Sequence, residues 1–186
     1  AIAKILFGDL NPSGKLPMSF PKKLADVPAH KLGQFPGDSV KVYYKDDIYV
    51  GYRYYDTYKV APQFHFGHGL SYTTFAYSNL KVTPAGKGAT VTFTVKNTGQ
   101  KEGAEVAQVY VKQQKSALPR PEKELKGFEK VTLQPGQSKT VTITLDEAAF
   151  QYYNDLNMQW VSEKGAFDIL VGSSSGDIRL NTKLTR

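Results

Sequence analysis

Three groups of residues in this sequence have types and spacings that could do chemistry. His65 and His68 stand three apart around Gly67. Paired imidazoles begin a transition-metal site, but a site needs three or four ligands, and the chain has no Cys and only one further histidine, His30, far back in the sequence. No metal is therefore expected, and each imidazole is read as hydrogen-bonding locally in a tight turn. Asp46-Asp47 is an adjacent carboxylate pair. Cleaving a glycosidic bond takes two carboxylates roughly 5–10 Å apart across the sugar. Sequence neighbours on an extended chain point to opposite sides, so this pair reads as a solvated turn. Asp56, Glu102, Glu105, Asp155, Glu163 and Asp168 single out no other pair.

Gly67-His68-Gly69 and Gly172-Ser173-Ser174-Ser175-Gly176 are glycine-rich, yet neither stands between a strand and a helix as a phosphate cradle must. The second reads as a hairpin turn. Ser71 and the Ser173–Ser175 run lack the frame of a nucleophile elbow. The third group is aromatic: Tyr43, Tyr44, Tyr49, Tyr52, Tyr54, Tyr55 and Tyr58 crowd one short stretch. Their rings suit the apolar faces of sugars, or they seal an interface. So much exposed aromatic surface is unfavourable in water, which favours the interface. Residues alone thus yield no active site and no cofactor.

The elements that must position these groups fall into two unlike parts, joined at Phe64–Phe75. From Ala1 to about Gln63 the chain is irregular. Ile2, Ile5 and Leu6 lie at helical spacing with Gly8 as a C′ residue, which reads as the last turns of a helix whose beginning is absent. Asn11-Pro12-Ser13-Gly14 is turn chemistry. Leu16, Met18 and Phe20 share one face of an extended segment that Pro17 would confine to a sheet edge. Pro21, Pro28, Pro36 and Pro62 then interrupt any period. A structureless loop of this length is improbable unless it packs on something, so the arm is expected to lie on a body outside this chain, rather than form a small domain of its own.

After the join, alternation is clear. Val91, Phe93 and Val95 oppose Thr90, Thr92 and Thr94. Ala107, Val109 and Val111 form one inward face, and Val141, Ile143 and Leu145 another. With Thr74–Val82, Leu125–Leu133, Gln159–Val161, Phe167–Val171 and Ile178–Leu180, this makes seven or so short strands with turns such as Asn97-Thr98-Gly99 and Pro135-Gly136. The expected fold class is mainly β, an antiparallel sandwich of the immunoglobulin or fibronectin type III kind behind an irregular arm. Trp160, the single tryptophan, is expected to pack in it.

Bulk composition narrows the classes further. The 186 residues carry a net charge of +7 with 22% charged side chains, within the globular range. The lysines are scattered rather than gathered into a patch, so nucleic acid is not expected as a partner. Without cysteine, disulfides and thiolate metal sites are excluded. No apolar run approaches the ~20 residues of a membrane span, so no membrane association is expected.

Several stretches resemble glycoside hydrolase family 3. Phe7-Gly8-Asp9-Leu10-Asn11-Pro12-Ser13-Gly14-Lys15-Leu16-Pro17 is similar to the end of that family's second domain. Val50-Gly51-Tyr52-Arg53-Tyr54-Tyr55-Asp56 and Phe66-Gly67-His68-Gly69-Leu70-Ser71-Tyr72-Thr73-Thr74-Phe75 resemble its linker. Leu125–Val131 and Val171–Ser175 resemble its fibronectin type III-like domain. One local departure is Tyr44-Lys45-Asp46-Asp47-Ile48-Tyr49, where many members carry an acidic-Gly pair. The resemblance implies three parts: residues 1–20 as the tail of an α/β sandwich domain, 21–69 as a linker arm, and 70–186 as the fibronectin-like domain.

It also implies a retaining exo-acting β-glycosidase, a β-glucosidase before a β-xylosidase, since both kinds share this C-terminal pattern. Its catalytic Asp and Glu would lie upstream of Ala1, and no position here matches either motif. This chain would brace the catalytic domains, with Tyr49, Tyr52, Arg53, Tyr54, Tyr55, Phe66 and Tyr72 as interdomain contacts. The expected partners are those upstream domains and, through them, a β-glucoside. A homo-oligomer is left open, and a periplasmic or secreted setting is expected over a cytoplasmic one. The competing expectation is a free-standing carbohydrate-binding module.

Overall fold

A computed structural model describes residues 2–38 and 40–186. Its core is an antiparallel two-sheet sandwich built from seven of the nine strands among the described residues: β1 (Phe75–Ala85), β2 (Gly88–Asn97), β3 (Gly103–Gln113), β4 (Glu124–Leu133), β5 (Ser138–Leu145), β8 (Ala166–Ser174) and β9 (Asp177–Thr185). One sheet runs in the order β1-β2-β5, the other β4-β3-β8-β9. The period-2 pattern explains the layering. Alternate residues of each strand turn to the same side, so Val91, Phe93 and Val95 meet Ala107, Val109, Val111, Ile169 and Val171 between the sheets, all nearly or fully buried. Phe75, Leu133, Val141, Leu145, Phe150 and Phe167 complete this core.

The two outer faces differ. On the three-stranded sheet, Thr90, Thr92 and Thr94 lie opposite Thr144, Thr142 and Thr140, a threonine face suited to water and to β-branched cross-strand pairing. On the four-stranded sheet, β3 is buried on both sides: Gln108 and Tyr110 point away from the core and are covered as fully as Val109 and Val111. The cover is the arm.

The remaining pair of strands, β6 (Gln151–Asn154) and β7 (Gln159–Ser162), forms a separate two-stranded hairpin. Contrary to the expectation from its pattern, Gln159–Val161 is not a sandwich strand and Trp160 does not pack in the sandwich. Trp160 pairs across the hairpin with Tyr153 and remains 64% exposed. The hairpin lies outside both sheets, and so its side chains never reach the core.

In the arm, α1 (Ile2–Leu6) ends at Gly8, whose φ of +80° provides the left-handed C′ conformation expected of it. A single 3₁₀ turn at Leu24–Asp26, α2 (Pro28–Lys31) and α3 (Tyr52–Thr57) are the other helical pieces. Among the described residues, the Leu16–Phe20 segment joins no sheet edge. It pairs instead with residues 64–68, through Leu16 N–H to His68 O (2.8 Å), Gly67 N–H to Leu16 O (2.8 Å) and Phe20 N–H to Phe64 O (2.8 Å). Both segments precede the sandwich, so these backbone donors are satisfied without a sandwich strand.

Candidate functional site

The chemistry-bearing groups converge on the seam where the arm meets the four-stranded sheet. Helix α3 starts after Gly51, at φ +58°, and its short turn brings Tyr52, Arg53, Asp56 and Thr57 towards residues 122–125. Residues four apart share a helix face, which aims 52 with 56 and 53 with 57. The Tyr52 ring stacks on Phe66 (4.7 Å, 24°) and meets Tyr110 edge-on at 6.0 Å. Its hydroxyl accepts the Leu125 N–H at 2.8 Å. Thr57 Oγ1 accepts the Glu122 N–H at 2.9 Å.

Ion pairs follow the same contact line. Arg53 lies 3.0 Å from Glu124, and Lys123 lies 2.8 Å from Asp56, with the side chains of both Lys123 and Asp56 about nine-tenths buried. Glu122 bridges Lys112 (2.6 Å) and Lys59 (3.4 Å). Glu124 is shared by Arg53, Arg120 and Lys126. Burial pushes the Glu124 carboxyl up, but Lys126, Arg120 and Arg53 more than offset it and hold it below its ordinary value. Burial lowers the Lys126 ammonium, against the pull of Glu124. Burial also raises the phenols of Tyr52 and Tyr110, and neither acts as an acid near neutrality. Charges so enclosed need their partners, because removing one leaves the other desolvated and alone.

A second set of contacts anchors the motifs on either side of the join. Asn11 donates to Glu102 O (2.8 Å) and accepts from Ser71 Oγ (3.0 Å) and Tyr72 N–H (2.8 Å). Lys15 pairs with buried Glu105 at 3.0 Å. Gln108 Nε2 donates to Ser173 O at 2.7 Å, and Ser175 N–H donates to Phe66 O at 2.9 Å. Gly67-His68-Gly69 finds its purpose here. Gly67 sits at φ +79°, and a Cβ on it would run into the Gln108 amide. A Cβ on Gly69 would strike the Gly14 carbonyl. These glycines permit close backbone approach rather than phosphate binding.

The sequence candidates are placed as follows. Tyr54 and Tyr55 are 4% and 5% exposed, buried inside this chain and packed edge-to-face at 5.4 Å. Tyr52 and Phe66 form the seam itself. Tyr72 is half exposed; its hydroxyl donates to Ile5 O at 2.8 Å and Lys101 lies over its ring. Tyr49 packs edge-on against Tyr58 at 5.3 Å. His68 stacks on Phe64, and His65 lies 4.0 Å from Asp56. Among the described residues, no three His, Asp or Glu side chains gather as a metal site would need. Asp46 and Asp47 occupy a surface turn closed by Tyr49 N–H to Asp46 O (2.9 Å).

Two features escaped the sequence reading. One is the charged run Arg120-Pro121-Glu122-Lys123-Glu124 leading into β4, whose density of alternating charge was a usable signal. The other is a hollow of about 520 Å³ beside the seam, lined by arm residues Tyr49 and Arg53, by Arg120 and Glu124, and by Tyr152, Tyr153 and Trp160 of the hairpin. Only tertiary folding brings those segments together.

The geometry defines a class: a β-sandwich module with an aromatic lead-in fixed to one outer face by buried ion pairs. The comparisons with known proteins agree. The family model "Glycosyl hydrolase family 3 C-terminal domain" matches residues 1–72, and "Fibronectin type III-like domain" matches residues 105–175. The chain belongs to glycosyl hydrolase family 3, as the C-terminal portion of that architecture. Among its relatives, thermostable beta-glucosidase B of Acetivibrio thermocellus is 52% identical over 184 residues, covering 97% of this chain and 24% of the relative. The crystal structure of the Bifidobacterium adolescentis GH3 beta-glucosidase superposes with a TM-score of 0.95 at 43% identity, over 99% of this chain and 27% of that one. Beta-glucosidase 3B of Thermotoga neapolitana, solved with α-D-glucose, gives 0.93 at 43% identity over 99% and 26%. The chain thus spans about a quarter of the length of the relatives it matches.

Proposed function

We propose that this chain serves as the C-terminal portion of a retaining exo-β-glucosidase that hydrolyses terminal β-D-glucosyl residues. In this reading the chain holds no catalytic residue and the nucleophilic Asp and the acid–base Glu lie in upstream domains. Its task is to brace those domains: the arm binds them on one side, and the seam carries their position into the rigid sandwich on the other.

The observation that supports this reading is the uneven burial of the arm. Its seam side is fully engaged, while Ile2, Leu6, Phe7, Val40, Val42, Tyr43, Tyr44 and Val50 stay largely exposed, Phe7 and Tyr44 at 85% and 89%. Scattered apolar exposure is ordinary, but so many large exposed side chains within two short stretches of the arm, residues 2–7 and 40–50, favour an interaction surface. Bracing can matter to rate, because a misplacement of about 1 Å at a distant active site can cost ~100-fold. The test is turnover of an aryl β-glucoside by this chain alone and by a polypeptide that joins it to the upstream domains of a family 3 β-glucosidase. Activity is expected only in the joined form. Turnover by the chain alone would overturn the reading, and so would a truncated enzyme that lacks this portion and loses nothing.

A periplasmic or secreted location is proposed with it, and fractionation of cells producing the longer protein tests that. The β-xylosidase alternative is tested by aryl xyloside in the same assay.

A further inference from the structure

The hollow beside the seam is space that the seam's ion pairs border but do not fill, and we infer that it is an accessory carbohydrate subsite, taking one or two pyranose rings of a neutral β-gluco-oligosaccharide. The identity of the sugar rests on the β-glucosidase reading above; the site itself rests on its own geometry. At about 520 Å³ it lies within the roughly 300–1,000 Å³ of small-molecule sites.

Its walls are aromatic. Trp160 and Tyr153 face each other across β6 and β7, ring centroids 5.6 Å apart at 69°, and are 64% and 46% exposed. Tyr152 lies under the Arg120 guanidinium, and Tyr49 closes the arm side. These rings are not required by the core, which lies between the two sheets without them. A pyranose presents an apolar C–H face to such rings while its hydroxyls reach polar neighbours.

Those polar neighbours select for neutrality. The charged residues lining the hollow are Arg53, Arg120 and Lys126 against Asp47, Glu124 and Asp155. Three positive and three negative groups give the lining no net charge to favour an ion of either sign. Planar guanidinium and carboxylate groups suit paired hydroxyls. They are also held in place. Arg120 donates to Gln113 Oε1 (2.7 Å), to Gln151 O (3.3 Å) and to Glu124, which in turn holds Arg53. Binding would therefore order few side chains, which lowers its entropic cost.

Because Trp160 is the single tryptophan, its emission reports on the hollow directly. Titrating the 186-residue chain with cellotetraose is expected to change that emission saturably, with a dissociation constant of about 1 mM or tighter. Calorimetry on the same samples should find Tyr153→Ala at least tenfold weaker, Tyr153→Phe unchanged, and Phe128→Ala, on an exposed part of β4, unchanged. An unshifted urea midpoint for Tyr153→Ala excludes a folding defect.

No emission change and no heat with cellotetraose would overturn the proposal, as would binding that survives both Tyr153→Ala and Trp160→Ala. Equal binding of maltotetraose would place a sugar there but remove its β-gluco specificity, whatever the turnover assay gives. In the longer polypeptide, cellotetraose should slow hydrogen exchange in residues 151–162. A hollow covered there by another domain would show no such protection, which would also overturn the proposal.

Discussion

The sandwich and the arm are made of similar apolar and aromatic residues but hold their shapes for different reasons. In the sandwich each strand carries its own instruction: alternation sorts side chains into a dry layer and a wet one, and the pairing of β2 with β5 turns three threonine pairs outwards. The arm has no such period. It is held by single contacts to a surface already formed, with Tyr52 on Phe66 and Tyr110, Asp56 on Lys123, and Gly67 against Gln108. The lesson is directional. The sandwich's period is written in its own strands, whereas the arm takes much of its shape from the surface it meets. One outer face of the β4-β3-β8-β9 sheet is therefore surrendered to the arm, and the arm's far side is left uncovered.

Substitutions on either side of the seam test that asymmetry. The largest effect should come from the core. Phe93→Ala removes a ring buried to 1% exposure and should cost about 3–5 kcal/mol in urea denaturation, with arm and sandwich unfolding together. Next is the shared carboxylate. Glu124→Ala strands Arg53, Arg120 and Lys126 and should cost about 3 kcal/mol. It should also loosen the arm first, seen as faster hydrogen exchange in residues 52–58 while β2 and β8 keep their protection. Simultaneous loss of protection in both would break the comparison.

The same carboxylate makes stability depend on pH. Its folded value is held below the ordinary one of roughly 4.3. Its contribution is therefore fully present above that ordinary value and is lost as pH falls through the lower folded value. Glu124→Gln should flatten the acid limb of a stability-against-pH curve, and an unchanged limb would remove Glu124 from the account.

A smaller effect is expected at Gly67→Ala. A Cβ there meets Gln108 and the residue sits at φ +79°, so the cost should be about 1–3 kcal/mol, with residues 64–68 opening to exchange before the strands. The smallest is Tyr44→Ala. Tyr44 is 89% exposed, and its loss should change the stability of this chain by no more than about 0.5 kcal/mol. The same substitution in the joined enzyme should lower stability or turnover measurably, if this surface meets upstream domains. That contrast sharpens the comparison most, because a residue inert in one context and costly in the other identifies the arm's second partner.

Much of this was legible in advance. Val91-Thr92-Phe93-Thr94-Val95 declares a half-buried strand by itself, and Asn97-Thr98-Gly99 declares its end, now seen with Asn97 Oδ1 accepting from Thr73 Oγ1 at 2.6 Å and from Gly99 N–H at 3.0 Å. The double burial of β3 was not legible, since Gln108 and Tyr110 differ from surface residues only through what covers them. Trp160 misled for a related reason: a lone tryptophan is usually buried, and no local pattern says that a four-residue strand will stand outside the sheets.

The amino-acid sequence alone determined the sandwich and its turns, because strand alternation and turn chemistry act over a few neighbouring residues, while the family was legible only through the resemblance of whole motifs. The seam, the buried pairing of Asp56 with Lys123, and the hollow under Trp160 were decided only by the tertiary structure. Thr57 meets Glu122 and Tyr52 meets Leu125 at separations of 65 and 73 positions, and the hollow gathers residues from 47–53, 118–126 and 151–160. Which distant charges and rings meet depends on how whole elements pack, and no local period encodes that.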